Sequence, residues 1–335
     1  MAVQAEISRV KEASKQALLS KPNVVGVGTG YKVTGGKRTD ELCLVTLVRQ
    51  KVPPAALTTE AMVPRDINGV LTDIIQVGEI RALQRRTDRW RPAHGGVSIG
   101  HYRITAGTFG CVVQDRASGA RLILSNNHVL ANSNDASPGD AITQPGPVDG
   151  GQLERDTIGH LERFCPIQFN QQPGTCDLAN TYASIGNAIA RMLGSHHQVI
   201  SIEANPQATN LVDAAVARPV SDSDILNEIL EIGVVSGTVT ASLGMAVRKS
   251  GRTTGFTTGE ITVLEATVDV SYGTGRTARF EDQLVMGPMS QGGDSGSLIV
   301  AGDSLRAVGL LFAGSEQTTI ANPIQAVLDC LNISI

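Results

Sequence analysis

The stretch MSQGGDSGSLIV, residues 289–300, sets Ser295 between glycines at the mouth of an apolar, strand-like run. Gly and Asp accept the dihedrals that tight turns need, so Ser295 is either a loop residue or a nucleophile. A nucleophilic serine needs a base, and the base needs an orienting group. All six histidines precede Ser295, which excludes orders that place the histidine last. Position 297 is Ser, so the G-x-S-x-G elbow is absent.

His128 ends the run RLILSNNHVLA, where a strand would deliver it to a polar turn. The alternative is a capping or core histidine. NLVDAAVARPV places Asp213 inside an otherwise apolar strand. A buried carboxylate is costly unless bonded or paired, and an imidazole N–H is a suitable partner. Asp177 and Asp156 are the other acid candidates, and a satisfied strand-end Asp is the plain alternative. Acyl transfer also needs donors aimed at an oxyanion. The backbone N–H groups of Gly293 and Ser295 can share one pocket if the loop bends sharply, and Gly292, Gly293 and Gly296 permit that bend. Asp294 would point away and hold the loop. Base, acid and nucleophile then run in the order His128, Asp213, Ser295, at nearly equal separations.

The elements that must position these residues are mostly short strands. Residues 4–19 read as a helix with an apolar stripe of Ala5, Val10, Ala13, Ala17 and Leu18. NVVGVGTGYKV and ELCLVTLVRQKV read as strands joined by a hairpin loop, and VLTDIIQVGEI as a third. These form a small α/β domain over residues 1–82. Residues 83–95 are basic and aperiodic, a linker or surface belt in which Arg85 and Arg86 could be clipped. From residue 96 to 335, short β-like runs alternate with glycine-rich turns, the pattern of a barrel or sandwich. A helix over 177–193 interrupts it. A last helix ends the chain, capped by Asn322, opened by Pro323, with Ile324, Val327, Leu328 and Leu331 on one face.

Composition narrows the function. The chain is 41% apolar and 18% charged, with 36 glycines, which suits a β-rich globular protein. Net charge is −4 with no basic block, which argues against nucleic acid as a partner. The first residues lack an apolar signal segment and no run is long enough to span a membrane. The five cysteines are scattered without C-x-x-C and read as reduced core thiols of a cytoplasmic protein, with a Cys165–Cys176 cross-link as the alternative. No spacing suggests a metal or cofactor site.

At these residues the chain resembles the trypsin/chymotrypsin-like serine proteases: SNNHV is similar to their histidine turn, GGDSGS to their serine loop, and VRKSGRTTGFTTGEI to the strands before that loop in secreted bacterial members. A closer resemblance, through PNVVGVGTGYKV, GGVSIGH, LSNNHVLA, VDAAVARP and TIANPIQAVL, is to the Narrow Leaf trypsin-like proteins of plants and their bacterial relatives. The resemblance implies a mainly β, chymotrypsin-like double β-barrel with a small N-terminal α/β domain and a C-terminal helix. It implies His128 as general base, Asp213 as its orienter, Ser295 as nucleophile, and Gly293 with Ser295 as oxyanion hole. By the family's spacing Met289 is the base of the substrate pocket, with Ser290 beside it, so apolar or small P1 side chains are expected. No Ile-Val-Gly-Gly start exists, so activation by a freed N-terminus is not expected.

The resulting expectation is an intracellular serine endopeptidase acting on protein or peptide substrates without cofactor, regulated by its N-terminal domain, by self-assembly or by an activating partner. The alternative is a pseudoprotease or assembly module that binds a partner without cleaving it.

Overall fold

The structure, a computed structural model, describes the chain apart from Met1, Glu79, residues 81–83, Thr105, Thr274 and the side chains of Ala2 and Val3. The boundary expected at Ala82 and the first linker residue, Leu83, lie outside the described residues, as does Glu79 of the third expected strand. The contacts divide the chain into Met1–Gln84 and Arg85–Ile335. No helix among the described residues is long and apolar enough to cross a membrane.

In the first unit, α1 (Ala2–Leu19) packs on a sheet of β1 (Val24–Thr34), β2 (Lys37–Val48), β3 (Asp66–Ile67) and β4 (Val70–Gln76), ordered β1-β2-β4-β3. Gly35 and Gly36 make the β1–β2 turn, both at positive φ, which the tightest right-twisted hairpins require. The buried face of α1 is Ile7, Val10 and Leu18, while Ala5, Ala13 and Ala17 are exposed. The expected stripe is thus corrected in phase: burying an Ile removes more apolar area from water than burying an Ala.

The second unit is mainly β and has the expected double β-barrel architecture, visible in its strand pairing. Its first half contains β5 (Ala93–Gly95), β6 (Ser98–His101), β7 (Gly107–Thr108), β8 (Cys111–Asp115), β9 (Arg121–Ser125), helix α2 (Asn127–Leu130), β10 (Ala141–Thr143), helix α3 (Leu153–Asp156) and β11 (Thr157–Phe164). An excursion follows, made of β12 (Gln171–Pro173), helix α4 (Asp177–Met192) and β13 (Ile202–Ala204), before β14 (Ala215–Pro219) and β15 (Ile225–Ile229). The second half is β16 (Ala246–Gly251), β17 (Gly255–Ser271), β18 (Thr277–Met286), β19 (Leu298–Ala301), β20 (Ala307–Gly314) and β21 (Thr319–Pro323), then α5 (Ile324–Leu331) and β22 (Ile333–Ser334). The first sheet runs β22-β8-β9-β14-β11-β10-β6-β7. The second runs β13-β12-β18-β17-β16-β19-β20-β21, and pairing of β18 with β21 closes the six strands from β18 to β21 into a ring.

One core fills the first half, and the second half holds a core and a smaller cluster around Phe280 and Phe312; a further core lies between the halves, where Leu122 and Leu124 of β9 and Val216 of β14 join Leu298 and Leu310 of the second ring. The face of α5 expected from its periodicity, Ile324, Val327, Leu328 and Leu331, is buried in this shared core. β22 then pairs with β8, so the end of the second half completes the sheet of the first.

Three expectations are corrected here. Cys165 and Cys330 form a disulfide, 165 residues apart, because α5 lies beside the end of β11; Cys176 stays free and exposed, and Cys43 and Cys111 are buried thiols. Sequence spacing carries no trace of such a pairing, and the thiol argument for a cytoplasmic home falls with it. Asn322 is not the cap of α5: it lies within β21, and Pro323 takes the capping position. Arg86 is not a free belt residue, since its guanidinium donates to the Gly96 carbonyl at 3.0 Å and the Ser250 hydroxyl at 2.7 Å and pairs with Glu231.

Candidate active site

β9 ends at Ser125, and α2 turns the chain so that His128 faces a cleft of about 1100 Å³. Asp213 stands just before β14, the strand paired with β9. Its carboxylate has no exposure and accepts from three donors: His128 Nδ1 at 2.6 Å (Oδ2), the His128 backbone N–H at 3.1 Å (Oδ1) and the Tyr272 hydroxyl at 2.8 Å (Oδ2). The backbone around it is also fixed. Asn126 donates to the Asp213 carbonyl at 2.7 Å, and the Asp213 N–H donates to Asn322 Oδ1 at 3.0 Å. Asn322 in turn donates to Gln283 at 2.7 Å. The imidazole is therefore held at Nδ1, leaving Nε2 for proton transfer. Burial first, then the charge and hydrogen bond of Asp213, push the Tyr272 phenol well above its usual range, so it stays a donor. The Tyr272 ring also meets the His128 ring edge to face, centroids 6.0 Å apart.

The other acid candidates do not meet His128. Asp156 is buried but held by Arg89, Arg155 and the Gln152 N–H. Asp177 is exposed at the start of α4.

Ser295 lines the same cleft as His128. Its Oγ donates to the Phe312 carbonyl at 3.4 Å, and no hydrogen bond joins it to His128 among the described residues. Gly293 and Gly296 sit at φ 93° and 94°, the left-handed region closed to most side chains. A Cβ at Gly296 would meet Ser125 Oγ at 2.2 Å. The bend leaves the N–H groups of Gly293 and Ser295 without an acceptor among the described residues. Thr108 staples the loop from the first half: its hydroxyl donates to the Gly293 carbonyl at 2.9 Å and its N–H to the Ser295 carbonyl at 2.7 Å.

Asp294 points inward, with no exposure. It accepts from the backbone N–H groups of Thr253 at 2.8 Å and Gln291 at 3.0 Å, and from the Thr254 hydroxyl at 2.6 Å. Fully buried Lys249 pairs with it at 3.4 Å and also bonds the Gly255 carbonyl and the Thr254 hydroxyl. Burial alone would raise Asp294, but the Thr254 hydroxyl, the Lys249 charge and the Gln291 N–H outweigh it and hold the carboxyl below its usual range. Burial lowers Lys249 against the attraction of Asp294.

Met289 and Ser290, the residues expected at the substrate pocket, both line the cleft. Met289 reaches the cleft, yet its thioether packs over Gly259 and into the second core with Val247 and Ile261. Ser290 presents the hydroxyl there, bonded to Thr319 Oγ1 at 2.8 Å. Among groups that sequence reasoning missed are Tyr272, Lys249, Asn126 and Asn322. Tyr272 lies just past the end of β17, beside Gly273 in a turn, and Lys249 in an alternating strand; neither position carries a local signal.

No protein-family model matches the chain. Among solved structures it is similar to a Nocardiopsis protease (21% identity, 72% of this chain and 97% of that one, TM-score 0.45), Thermobifida fusca protease A (17%, 72% and 96%, 0.44) and a Cellulomonas bogoriensis chymotrypsin (18%, 72% and 97%, 0.42).

The buried Lys249–Asp294 pair yields a stability prediction. Lys249→Met leaves a buried carboxylate without its cation and is expected to cost on the order of 3 kcal/mol in denaturant unfolding. Asp294 has a depressed folded value, so its contribution is present above the ordinary Asp value near pH 4 and is lost as pH falls through the depressed one. Acid titration of stability should show that limb in the parent and a flatter one in Asp294→Asn.

Proposed function

We propose that the second unit is a serine endopeptidase. The observation that carries this is the juxtaposition in one cleft of a His128 imidazole oriented by buried Asp213, the Ser295 hydroxyl, and two acceptor-free N–H groups beside it. In the proposed reaction a substrate strand lies along β20 and takes over the Phe312 carbonyl with one of its N–H groups. Ser295 Oγ then turns toward His128, a rotation about one side-chain bond between staggered wells. Oγ attacks the scissile carbonyl carbon as its proton passes to His128 Nε2. The oxyanion is received by the N–H groups of Gly293 and Ser295. Collapse breaks the C–N bond, the Nε2 proton goes to the leaving amine, and water repeats the sequence on the acyl-enzyme to release the acid and restore Oγ–H. Asp213 holds the ring in orientation throughout and stabilises the imidazolium.

A second reading is favoured by one observation, the Ser295–Phe312 bond where a Ser295–His128 bond is needed: a module that binds peptides without cutting them. Labelling by a fluorophosphonate probe separates the two. Strong labelling of the parent, abolished in Ser295→Ala, is expected; a folded parent that fails to label would support the binding module.

We further infer uncharged, small or apolar P1 side chains, because the inner wall carries the Ser290 hydroxyl and no charge, while Glu316 stands exposed at the cleft. A peptide library varied at P1 tests this. A preference for Arg or Lys in the parent would overturn it, and Ser290→Asp is expected to create that preference.

We further infer a controlling role for the first unit, since an unrestrained endopeptidase would damage the cell that makes it. A specific cleavage site inserted after Gln84 tests it: cutting should change the probe-labelling rate at least several-fold, and an unchanged rate would reject control in cis.

A further inference from the structure

Helix α4 carries its apolar face outward. Leu178, Tyr182, Ile185, Ile189 and Met192 recur at steps of four, three, four and three, which on a helix gives one stripe about 100° wide. With Leu193 at the helix end, these residues are between 49% and 80% exposed. The opposite face is the one bound to the protein. Asn180 donates to the Gly174 carbonyl and pairs with the Ser201 hydroxyl; Asn187 bonds the N–H and carbonyl of Val199; Ala183 is buried. The normal polarity of a surface helix is reversed.

We propose that this stripe is the interface of a homodimer, in which α4 packs antiparallel against α4 of a second copy. Six large apolar side chains, each about half or more exposed, form one continuous stripe, the kind of exposed apolar patch that marks an interaction site. The spacing is also self-complementary. A two-fold axis passing between positions 185 and 186 sets Leu178 against Leu193, Tyr182 against Ile189 and Ile185 against Gly186, large against small at the centre, as an isologous contact requires. Gly186 itself points to a second chain. A Cβ there would meet nothing within 4 Å of its own chain, yet glycine weakens a helix interior; room for the facing Ile185 accounts for it. A membrane surface is a poorer occupant, since such helices carry several Lys and Arg along the polar face, whereas this one carries two bonded asparagines and a single cation, Arg191.

The test is the mass of the full chain by light scattering and sedimentation across the micromolar range, independent of any proteolytic activity. Twice the chain mass is expected. Tyr182→Lys and Gly186→Leu should each weaken self-association at least ten-fold. Gly186→Leu should keep or raise the thermal midpoint of the monomer, which separates loss of the interface from loss of the fold. A parent that is monomeric throughout, whether or not it floats with anionic vesicles or captures another protein, overturns the proposal, as does a dimer that both variants leave intact.

Discussion

A carboxylate removed wholly from water must find its solvation within the protein, and the organisation around Asp213 follows from that requirement. Three donors converge on it from two distant parts of the chain: the His128 ring and the His128 N–H from the turn after β9, and the Tyr272 hydroxyl from the far end of the long β17–β18 hairpin. The hairpin's length has a use in this light. It carries Tyr272 across to the first half, where Arg276 pairs with Asp135 at 2.7 Å and secures the tip close to the histidine turn. Asn322 and Asn126 then hold the backbone of Asp213 from opposite sides. Removing any one of these leaves a buried acceptor or donor unsatisfied, which costs more than the bond itself contributes.

A second buried carboxylate, Asp294, plays the corresponding part for the serine loop. Its donors are mostly backbone N–H groups and the Thr254 hydroxyl, and its counter-charge is internal. Lys249 has no exposure, so the pair is shielded from salt and from solvent exchange. The loop's shape is therefore written into the barrel that carries it, together with the Thr108 staple from the other half.

Local pattern disclosed a good share of this. The glycines around Ser295, the strand leading into His128, and the face of α5 all rest on short-range rules: dihedral freedom, strand polarity and helical period. The same rules go astray in α1: the helix forms and Val10 and Leu18 of the expected stripe are buried, but its three alanines are exposed and Ile7, the larger side chain, is buried in their place. They were silent on groups whose role is fixed only by distant partners. Tyr272 stands 59 residues from Asp213 along the chain, and Lys249 stands 45 from Asp294. Asn322 looked like a helix cap because the residues after it start a helix, but the strand it belongs to turns its amide toward Asp213. The disulfide between Cys165 and Cys330 is the same kind of case, set by tertiary proximity alone.

The pairing of β22 with β8 sets an order in time. Chains emerge from the ribosome N-terminus first, at about 5–20 residues per second. During that interval β8 presents an unpaired edge, and Asp213 has been made while Asn322, which accepts its N–H, has not. The surroundings of Asp213 are thus incomplete until β21, which carries Asn322, has been made. A nascent chain that already carries His128, Asp213 and even Ser295 still lacks the acceptor that fixes the Asp213 backbone.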